Sequence, residues 1–275
     1  ILEAMRWNVI ERREEVLKMI YKAGGGLTGG SLSSLDILVT LFNEVLEIRP
    51  HEPNWEQRDK FIMSKGHSVE GYYSVLADRG FFSKEELNTL IQFDSKFLGH
   101  PTNEVPGVEI NTGALGHGLS PGVGLAIAAK KDNENYDTYV LMGDGEMTEG
   151  SIWEAAMSAG HYDLDNLTGI IDRNNLEITG ETEEVMGLEP LIDKWIDFGW
   201  SVKTVNGHSI SDLLEILDSL PLEQDKPSLI VADTIKGKGV SFMEGKAEWH
   251  HKVPNEAQLE KALDELNQKK KKITA

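Results

Sequence analysis

Hydrophobic and polar positions along the chain follow two alternating periods, and these periods predict a regular succession of helices and strands. The first segment has a helical period, with Val9, Val16, Leu17 and Ile20 on one face and charged residues opposite. Short apolar runs bounded by turn residues are instead typical of buried strands, and they occupy residues 60–63, 139–142, 167–171, 200–205 and 229–234. Because helical patterns separate these runs, we predict an α/β fold with a doubly wound, mainly parallel sheet and helices on both faces.

Glycine and serine are concentrated between the first two predicted helices, in residues 23–33. Five glycines within seven residues predict a loop with much exposed backbone. Ser33 or Ser34 is then expected to cap a helix over residues 35–46, and a shorter helix is expected at residues 85–93. No internal repeat or linker interrupts the pattern, so residues 1–275 are predicted to form a single domain.

Composition excludes several classes of function. The chain has 275 residues and no cysteine, which rules out disulfides and thiol catalysis. Its net charge of −19 argues against nucleic acid as a partner, because phosphate contacts need clustered lysines and arginines. We find no apolar run of membrane-spanning length and no signal peptide at the start, so we expect no membrane contact and a cytoplasmic location. If the substrate is anionic, we expect its positive clamp on another chain.

Polar residues follow two neighbouring apolar runs at positions suited to a metal ion. Gly143-Asp144-Gly145 ends one run, and Asn174 follows the next. In a parallel sheet both turns lie outside the carboxyl ends of the strands, where α/β sheets bind ligands. Asp144 and Asn174 therefore offer two oxygen ligands to one Mg²⁺, with Ca²⁺ and Mn²⁺ as alternatives. Gly145 leaves its backbone N–H open to an incoming phosphate.

This spacing resembles the thiamine diphosphate motif, a Gly-Asp-Gly followed by an asparagine about thirty residues later. Further segments extend the likeness, and the chain as a whole resembles the N-terminal, diphosphate-binding half of transketolase over residues 6–266. The segments that carry the resemblance are Gly-Gly-Ser-Leu-Ser at 29–33, Ser-Lys-Gly-His-Ser at 64–68, Leu-Gly-His-Pro at 98–101, Thr-Gly-Ala-Leu-Gly-His-Gly at 112–118, Gly-Asp-Gly-Glu-Met-Thr-Glu-Gly at 143–150 and Trp-His-His-Lys at 249–252.

The resemblance implies a thiamine diphosphate-binding fold and a Mg²⁺-dependent transfer of a two-carbon ketol unit from a ketose, or its phosphate, to an aldose. It implies that the metal is held by Asp144, Asn174 and the backbone carbonyl of Leu176. It implies that the cofactor contacts Gly113, Leu115, Gly145, Glu154, Asn174, Ile178, His67 and His250. Catalytic roles would fall to His67, His100, His250 and Glu149. Histidines suit proton transfer near neutral pH and hydrogen bonding to sugar hydroxyls.

Several of these residues also have a simpler interpretation. The resemblance assigns Glu149 and Glu154 to a carboxylate network at the subunit interface, but exposed acidic residues are also favoured near a helix N-terminus. Ile178 could be an ordinary core residue. The remaining histidines outside the matched segments are predicted to be surface or structural residues, and they are His51, His161 and His208.

One departure from the family pattern lies in the glycine-rich segment. Leu27 occupies the position of a family histidine that hydrogen bonds the donor sugar, and leucine donates no hydrogen bond. A buried hydrogen bond lost without replacement costs ~1–3 kcal/mol. We therefore expect either that His117 or His251 takes over this role, or that the enzyme is a specialised transketolase for a modified, for example sulfonated, sugar.

The resemblance also implies a partner chain. The pyrimidine-binding and C-terminal domains of a transketolase, with the glutamate that activates the cofactor, are expected on a C-terminal transketolase subunit. We expect an α2β2 heterotetramer that acts on sugar phosphates. One alternative is another two-subunit thiamine diphosphate enzyme, such as a 2-oxoacid dehydrogenase E1-like component. A noncatalytic cofactor-binding module is the other, and the intact metal and histidine positions weigh against it.

Overall fold

A five-stranded sheet forms the centre of the computed structural model, which describes residues 1–273. The strands are β1 (Lys60–Met63), β2 (Thr138–Gly143), β3 (Leu167–Arg173), β4 (Ser201–Asn206) and β5 (Ser228–Asp233). Their order across the sheet is β1-β2-β3-β5-β4, and each neighbouring pair is parallel. The apolar runs therefore predicted the strands correctly, with ends shifted by no more than two residues.

Helices connect the strands and cover the sheet. The α-helices are α1 (Leu2–Ala23), α2 (Thr28–Thr40), α3 (Val69–Arg79), α4 (Leu119–Asp132), α5 (Gly150–His161), α6 (Thr182–Val185), α7 (Leu191–Asp197), α8 (Ile210–Asp218) and α9 (Glu256–Ile273). Shorter turns are a π-helix at Leu41–Val45 and 3₁₀ helices at Gly66–Ser68, Lys84–Thr89, Gly145–Thr148 and Ala247–His250. Within residues 1–273, no helix combines the length and the apolar character that crossing a membrane requires.

Side chains of each strand alternate between two hydrophobic cores, one on each face of the sheet. In β1, Phe61 and Met63 join the core that α1, α2 and α3 complete, whereas Ile62 joins the core of α4 and α5. In β2, Tyr139 and Val140 divide between the two cores in the same way. Because both faces are covered, the strands are almost continuously apolar in sequence. The predicted doubly wound fold is confirmed.

The prediction of a glycine-rich loop before the second helix is wrong for residues 28–33, which belong to α2. Gly29 and Gly30 lie in the first turn of α2, and Ser33 and Ser34 lie inside the helix rather than at its cap. Both serine hydroxyls donate to the carbonyl of Gly30, at 3.0 and 2.8 Å. A Cβ at Gly29 would lie 2.7 Å from the side chain of Lys236. Glycine here permits close packing of α2, and this tertiary packing overrides its poor helix propensity.

The helix predicted at residues 85–93 is also shorter than expected. Ser83 and Glu86 form a capping box at the start of a 3₁₀ helix, Lys84–Thr89. Ile91 then adopts a left-handed conformation with φ of 58°, and its N–H donates to the carbonyl of Phe97 at 2.9 Å. This backbone conformation ends the helix, and β-branched residues rarely adopt it.

Candidate active site

A cleft of about 510 Å³ opens at the carboxyl ends of the central strands. Asp144 and Asn174, which follow β2 and β3, line it together with residues that follow β1 and β5. Leu27, His100 and His250 reach the same cleft from distant parts of the sequence. The cleft therefore lies at the edge of the sheet where the sequence predicted ligand binding.

The predicted metal ligands lie together in this cleft. The Oδ1 atom of Asp144 accepts the N–H of Gly145 at 2.8 Å, and its Oδ2 atom accepts the N–H of Asn175 at 2.6 Å. The Oδ1 atom of Asn174 accepts the N–H of Leu176 at 3.1 Å. Each of these oxygens keeps a further lone pair. Backbone hydrogen bonds thus orient hard oxygen ligands from two neighbouring strand ends.

The charge of Asp144 is only partly balanced by its surroundings. Burial, and then the carboxylate of Asp172, raise the pKa of Asp144 to about 6. A guanidinium nitrogen of Arg173 lies 3.5 Å from Asp144, but Arg173 also pairs with Glu183 at 2.9 Å. A divalent cation beside Asp144 would favour its ionised form, so the donor set fits a metal ion.

Two buried lysines bring positive charge to the cleft. Lys65 is 1 % exposed and forms an ion pair with Asp172. Lys236 is 2 % exposed, and in the described part of the chain its Nζ bonds to neutral partners, the carbonyl of Leu176 at 2.9 Å and Nδ1 of His250 at 3.0 Å. Burial, and then the charge of Lys65, lower the pKa of Lys236 to about 8. Lys236 thus remains mostly charged at neutral pH and suits an anionic ligand.

Three predicted histidines reach the cleft from separate elements. The rings of His67 and His250 stack with their centroids 5.3 Å apart, and His100 is exposed at the cleft. Burial, and then Lys65, hold the pKa of His67 well below its ordinary value. Burial, and then Lys236, lower the pKa of His250 to about 3. Both stacked rings are therefore neutral near pH 7 and can each donate or accept a hydrogen bond.

Glu146 joins three of the segments around the cleft. Its buried carboxylate accepts the hydroxyl of Ser64, the N–H of Gly116 at 2.8 Å and the N–H of Gly143 at 3.1 Å. Burial raises the pKa of Glu146 in spite of these hydrogen bonds. Because the three donors lie after β1, before α4 and at the end of β2, this carboxylate fixes the relative positions of these segments.

The structure brings most of the predicted site residues together. The residues that line the cleft include His67, His100, Gly113, Leu115, Asp144, Gly145, Glu149, Asn174, Leu176, Ile178 and His250. Glu154 is exposed on α5 outside this lining, and its cofactor contact stays a prediction. Ile178 is 58 % exposed, so its interpretation as a core residue is wrong. His251 lines the cleft, whereas His117 is exposed beside it with Nδ1 3.0 Å from the carbonyl of Leu115.

Sequence reasoning missed three buried charged residues of the cleft, Lys65, Lys236 and Glu146. Because the chain is acidic, positive charge was expected from another chain, yet the cleft carries two lysines of its own. The sequence did hold a signal for each. Lys65 and Glu146 lie inside the matched segments at 64–68 and 143–150. Lys236 begins a Lys-Gly-Lys-Gly run shortly after a buried strand, a position at which parallel sheets bind ligands.

Comparison with known proteins points to the same family. A family model described as "Transketolase, thiamine diphosphate binding domain" matches residues 6–273. A subunit of the apulose-4-phosphate transketolase of Phocaeicola vulgatus is 49 % identical over 272 residues, which cover 99 % of this chain and 97 % of that protein. The 6-deoxy-6-sulfo-D-fructose transketolase subunit SqwG of a Clostridium species is 41 % identical over 260 residues, 94 % of each chain. The crystal structure of transketolase from Campylobacter jejuni superposes with a TM-score of 0.92 at 32 % identity, covering 97 % of this chain and 43 % of that one.

The lengths of these relatives differ in an informative way. The chain covers nearly the whole of the relatives named as subunits, but less than half of the transketolase from Campylobacter jejuni. The word "subunit" in those names implies a partner chain. The chain therefore belongs to the transketolase family, as the N-terminal, thiamine diphosphate-binding subunit of a divided transketolase.

Proposed function

We propose that the cleft binds thiamine diphosphate together with Mg²⁺, and that the chain and a C-terminal subunit together transfer a two-carbon ketol unit from a ketose phosphate to an aldose phosphate. The observation that carries this proposal is the presence of Lys65 and Lys236 in the same cleft as Asp144 and Asn174. Buried cations suit a diphosphate, and oxygen ligands suit the Mg²⁺ that would bind with it. The chemistry that thiamine diphosphate supplies is the breaking and making of a carbon–carbon bond next to a ketone.

We assign the metal to Asp144, Asn174 and the carbonyl of Leu176. Lys236 donates to the same carbonyl at 2.9 Å, so its ammonium lies beside the proposed metal site, where it could donate to a phosphate oxygen. The N–H of Gly145 is the backbone donor expected to face the diphosphate.

The remaining residues of the cleft are assigned to the sugar and to the rings of the cofactor. The neutral rings of His67 and His250 are suited to hydrogen bond sugar hydroxyls, and the exposed ring of His100 is suited to bond them and to move a proton. The backbones of Gly113 and Leu115 and the side chain of Ile178 are assigned to the cofactor rings. Two exposed carboxylates at the start of α5 are assigned to the interface with the partner chain, and they are Glu149 and Glu154.

The partner completes this proposal. We propose that residues 1–275 form one diphosphate-binding domain and that the pyrimidine-binding and C-terminal domains lie on the partner chain. The proposed assembly is an α2β2 heterotetramer with active sites between chains. The match of the family model over residues 6–273 supports the domain assignment. A cytoplasmic location stays a prediction of the sequence.

The donor is proposed to be a modified ketose phosphate rather than a common pentose phosphate. Two observations favour this: Leu27 lines the cleft, and the relatives that match over their whole length are named for apulose 4-phosphate and 6-deoxy-6-sulfo-D-fructose. Since the identity to the apulose-4-phosphate enzyme is higher, apulose 4-phosphate is the first donor to test. Because these relatives are named transketolases, ketol transfer is favoured over 2-oxoacid decarboxylation and over a noncatalytic role.

Reconstitution tests the proposed function. The chain and its C-terminal partner are mixed with thiamine diphosphate and Mg²⁺, and ketol transfer to ribose 5-phosphate is measured from apulose 4-phosphate and from xylulose 5-phosphate. We expect transfer by the mixture, none by either chain alone, and a higher kcat/KM for apulose 4-phosphate. Equal use of both donors would overturn the donor assignment. Cofactor binding with turnover of pyruvate alone would overturn ketol transfer, and turnover by the single chain would overturn the need for a partner.

A further inference from the structure

Within residues 1–273, a carboxylate on α3 is buried close to the cleft without a counterion of its own. Glu70 is fully buried, and its Oε1 accepts the backbone N–H of Leu27 at 3.1 Å while its Oε2 accepts the hydroxyl of Ser31 at 2.7 Å. Burial raises the pKa of Glu70, and the groups that oppose this effect are hydrogen-bond donors rather than cations. Burying a carboxylate costs free energy that two hydrogen bonds without an ion pair offset only in part, so a role in holding its hydrogen-bond donors would explain Glu70.

The turn before α2 is closely fitted to this carboxylate. Gly26 has a φ of +146°, and a Cβ at this position would lie 2.7 Å from Oε1 of Glu70 and 2.8 Å from Ile20. Glycine is therefore required both by the backbone conformation and by the space that Glu70 occupies. Any larger residue would push the turn away from the carboxylate.

Hydrogen bonds fix the backbone on both sides of this turn, because Glu70 accepts the N–H of Leu27 and a second contact holds the next residue. The hydroxyl of Thr28 donates to the carbonyl of Lys252 at 2.9 Å, beside the segment that carries His250. With the N–H of Leu27 bound to Glu70, the backbone at the start of α2 has little freedom. The side chain of Leu27 lines the cleft in the company of His100. It adds to the apolar part of a lining that contains three other leucine or isoleucine residues besides its histidines, lysines and carboxylates.

We propose that Glu70 is a positioning residue for donor recognition, and that it holds Leu27 as an apolar wall against the donor ketose. This inference rests on the proposed function. A sugar hydroxyl pressed against Leu27 would lose its water partners without replacement, and such a mismatch lowers kcat/KM strongly. The cleft therefore selects a ketose that presents carbon and hydrogen, and no hydroxyl, to Leu27.

A double-mutant cycle on the reconstituted enzyme tests this role. The ratio of kcat/KM for apulose 4-phosphate to that for xylulose 5-phosphate is measured for the wild type, Glu70→Ala, Leu27→Ala and the double variant. We expect Glu70→Ala to lower this ratio about tenfold in the wild-type background and to leave it unchanged in the Leu27→Ala background, because the effect passes through Leu27. Glu70→Gln keeps an oxygen for the N–H of Leu27, so it should restore most of the ratio.

A second measurement follows the hydrogen bond itself and needs no activity. Amide hydrogen exchange at Leu27 in the full chain should become about tenfold faster in Glu70→Ala, as expected for the loss of one hydrogen bond. Tyr72→Phe is the matched control, since Tyr72 is another buried polar residue of α3 and its hydroxyl donates to the carbonyl of Gly107 at 2.8 Å. This variant should lower the free energy of unfolding without changing amide exchange at Leu27 or the ratio of kcat/KM for the two donors.

The outcomes separate this inference from the proposed function. An equal fall in kcat/KM for both donors, or the same change of ratio with and without Leu27, would overturn the role of Glu70 while leaving ketol transfer intact. Unchanged exchange at Leu27 in Glu70→Ala would overturn it as well. A wild-type complex that transfers no ketol unit would overturn the proposed function, and with it any role in donor recognition.

Discussion

Two regions of this chain bury charge, and they do so in opposite ways. In the Asp36 cluster, which consists of Arg13, Asp36 and His208, each group has a fixed partner. Arg13 pairs with Asp36, and Nδ1 of His208 lies 2.8 Å from the same carboxylate. The Nε2 atom of His208 accepts the N–H of Ile235 at 2.8 Å, so its proton lies on Nδ1 and is donated to Asp36. The prediction that His208 is structural is confirmed.

The cleft lysines, Lys65 and Lys236, are arranged differently. Lys65 pairs with Asp172, whereas Lys236 lines the cleft and bonds to a carbonyl and a neutral imidazole. Balanced, closed charge is typical of a structural site, whereas a buried cation that lacks a carboxylate partner is costly and is retained for a ligand. Because the cleft lining also contains carboxylates, the indication of function is a buried lysine without a carboxylate partner rather than an excess of positive charge.

The contrast between the Asp36 cluster and the cleft would be lost if Asp144, like Asp36, had only a structural role. We expect Asp144→Asn to abolish ketol transfer and to weaken Mg²⁺-dependent binding of thiamine diphosphate more than about 100-fold, because even groups behind metal ligands cost about 10–100-fold. The free energy of unfolding of the unliganded chain should fall by only about 1 kcal/mol, because the amide loses one of two backbone hydrogen bonds while burial already opposes the charge of Asp144. Calorimetric titration and urea unfolding measure the two effects. Asp132→Asn, at an exposed position that ends α4, is the control.

Asp36→Asn should give the reverse result. It leaves the guanidinium of Arg13 buried without a counter-charge, so we expect the chain to lose about 3 kcal/mol of stability. Binding of thiamine diphosphate, measured below the unfolding transition, should stay within about twofold, because additive effects are the rule for separate sites. A stable Asp36→Asn chain with impaired cofactor binding would mean that the two regions are coupled.

Lys236→Gln tests whether Lys236 serves to bind a ligand, in contrast to Arg13, which is paired with a carboxylate. We expect about tenfold weaker binding of thiamine diphosphate, because one charge-assisted hydrogen bond to a phosphate is lost. The stability of the unliganded chain should be unchanged or higher, since a buried cation is removed. Lys238→Gln serves as the matched control, because Lys238 lies 3.8 Å from Glu244 and is partly exposed. Equal binding by the wild type and Lys236→Gln would argue that Lys236 is structural.

The smallest expected effect is the pH dependence of the stability that the Asp36 cluster contributes. Burial alone would raise the pKa of Asp36, but Arg13 and His208 outweigh it and hold the pKa below its ordinary value of 3.8. A lowered carboxyl pKa contributes stability above about pH 4 that is lost as the pH falls through the folded-state pKa. The difference in the free energy of unfolding between the wild type and Asp36→Asn should therefore be constant above about pH 5 and become smaller in more acidic solution. Urea midpoints at several pH values measure it, and a difference that grows in acid would contradict this assignment.

Much of the fold and the position of the cleft could be predicted from sequence because the deciding interactions are local. Apolar runs of strand length marked the sheet, and the turns at Gly143-Asp144-Gly145 and Asn174 followed directly from two of them. The parallel arrangement then brought both turns to one edge. The glycine-rich segment was misjudged because its conformation depends on Lys236 and other distant residues that pack against it.

The fold class, the cofactor family and the candidate metal ligands followed from the sequence alone, since periodicity and motif spacing are properties of neighbouring residues. Only the tertiary structure decided which charges are balanced and which residues hold the cleft in shape. Lys65 meets Asp172 and Glu70 meets Leu27 across long stretches of chain, and Glu146 gathers three separate segments. Burial and the distance between charges set these energies, and both exist only once the chain is folded.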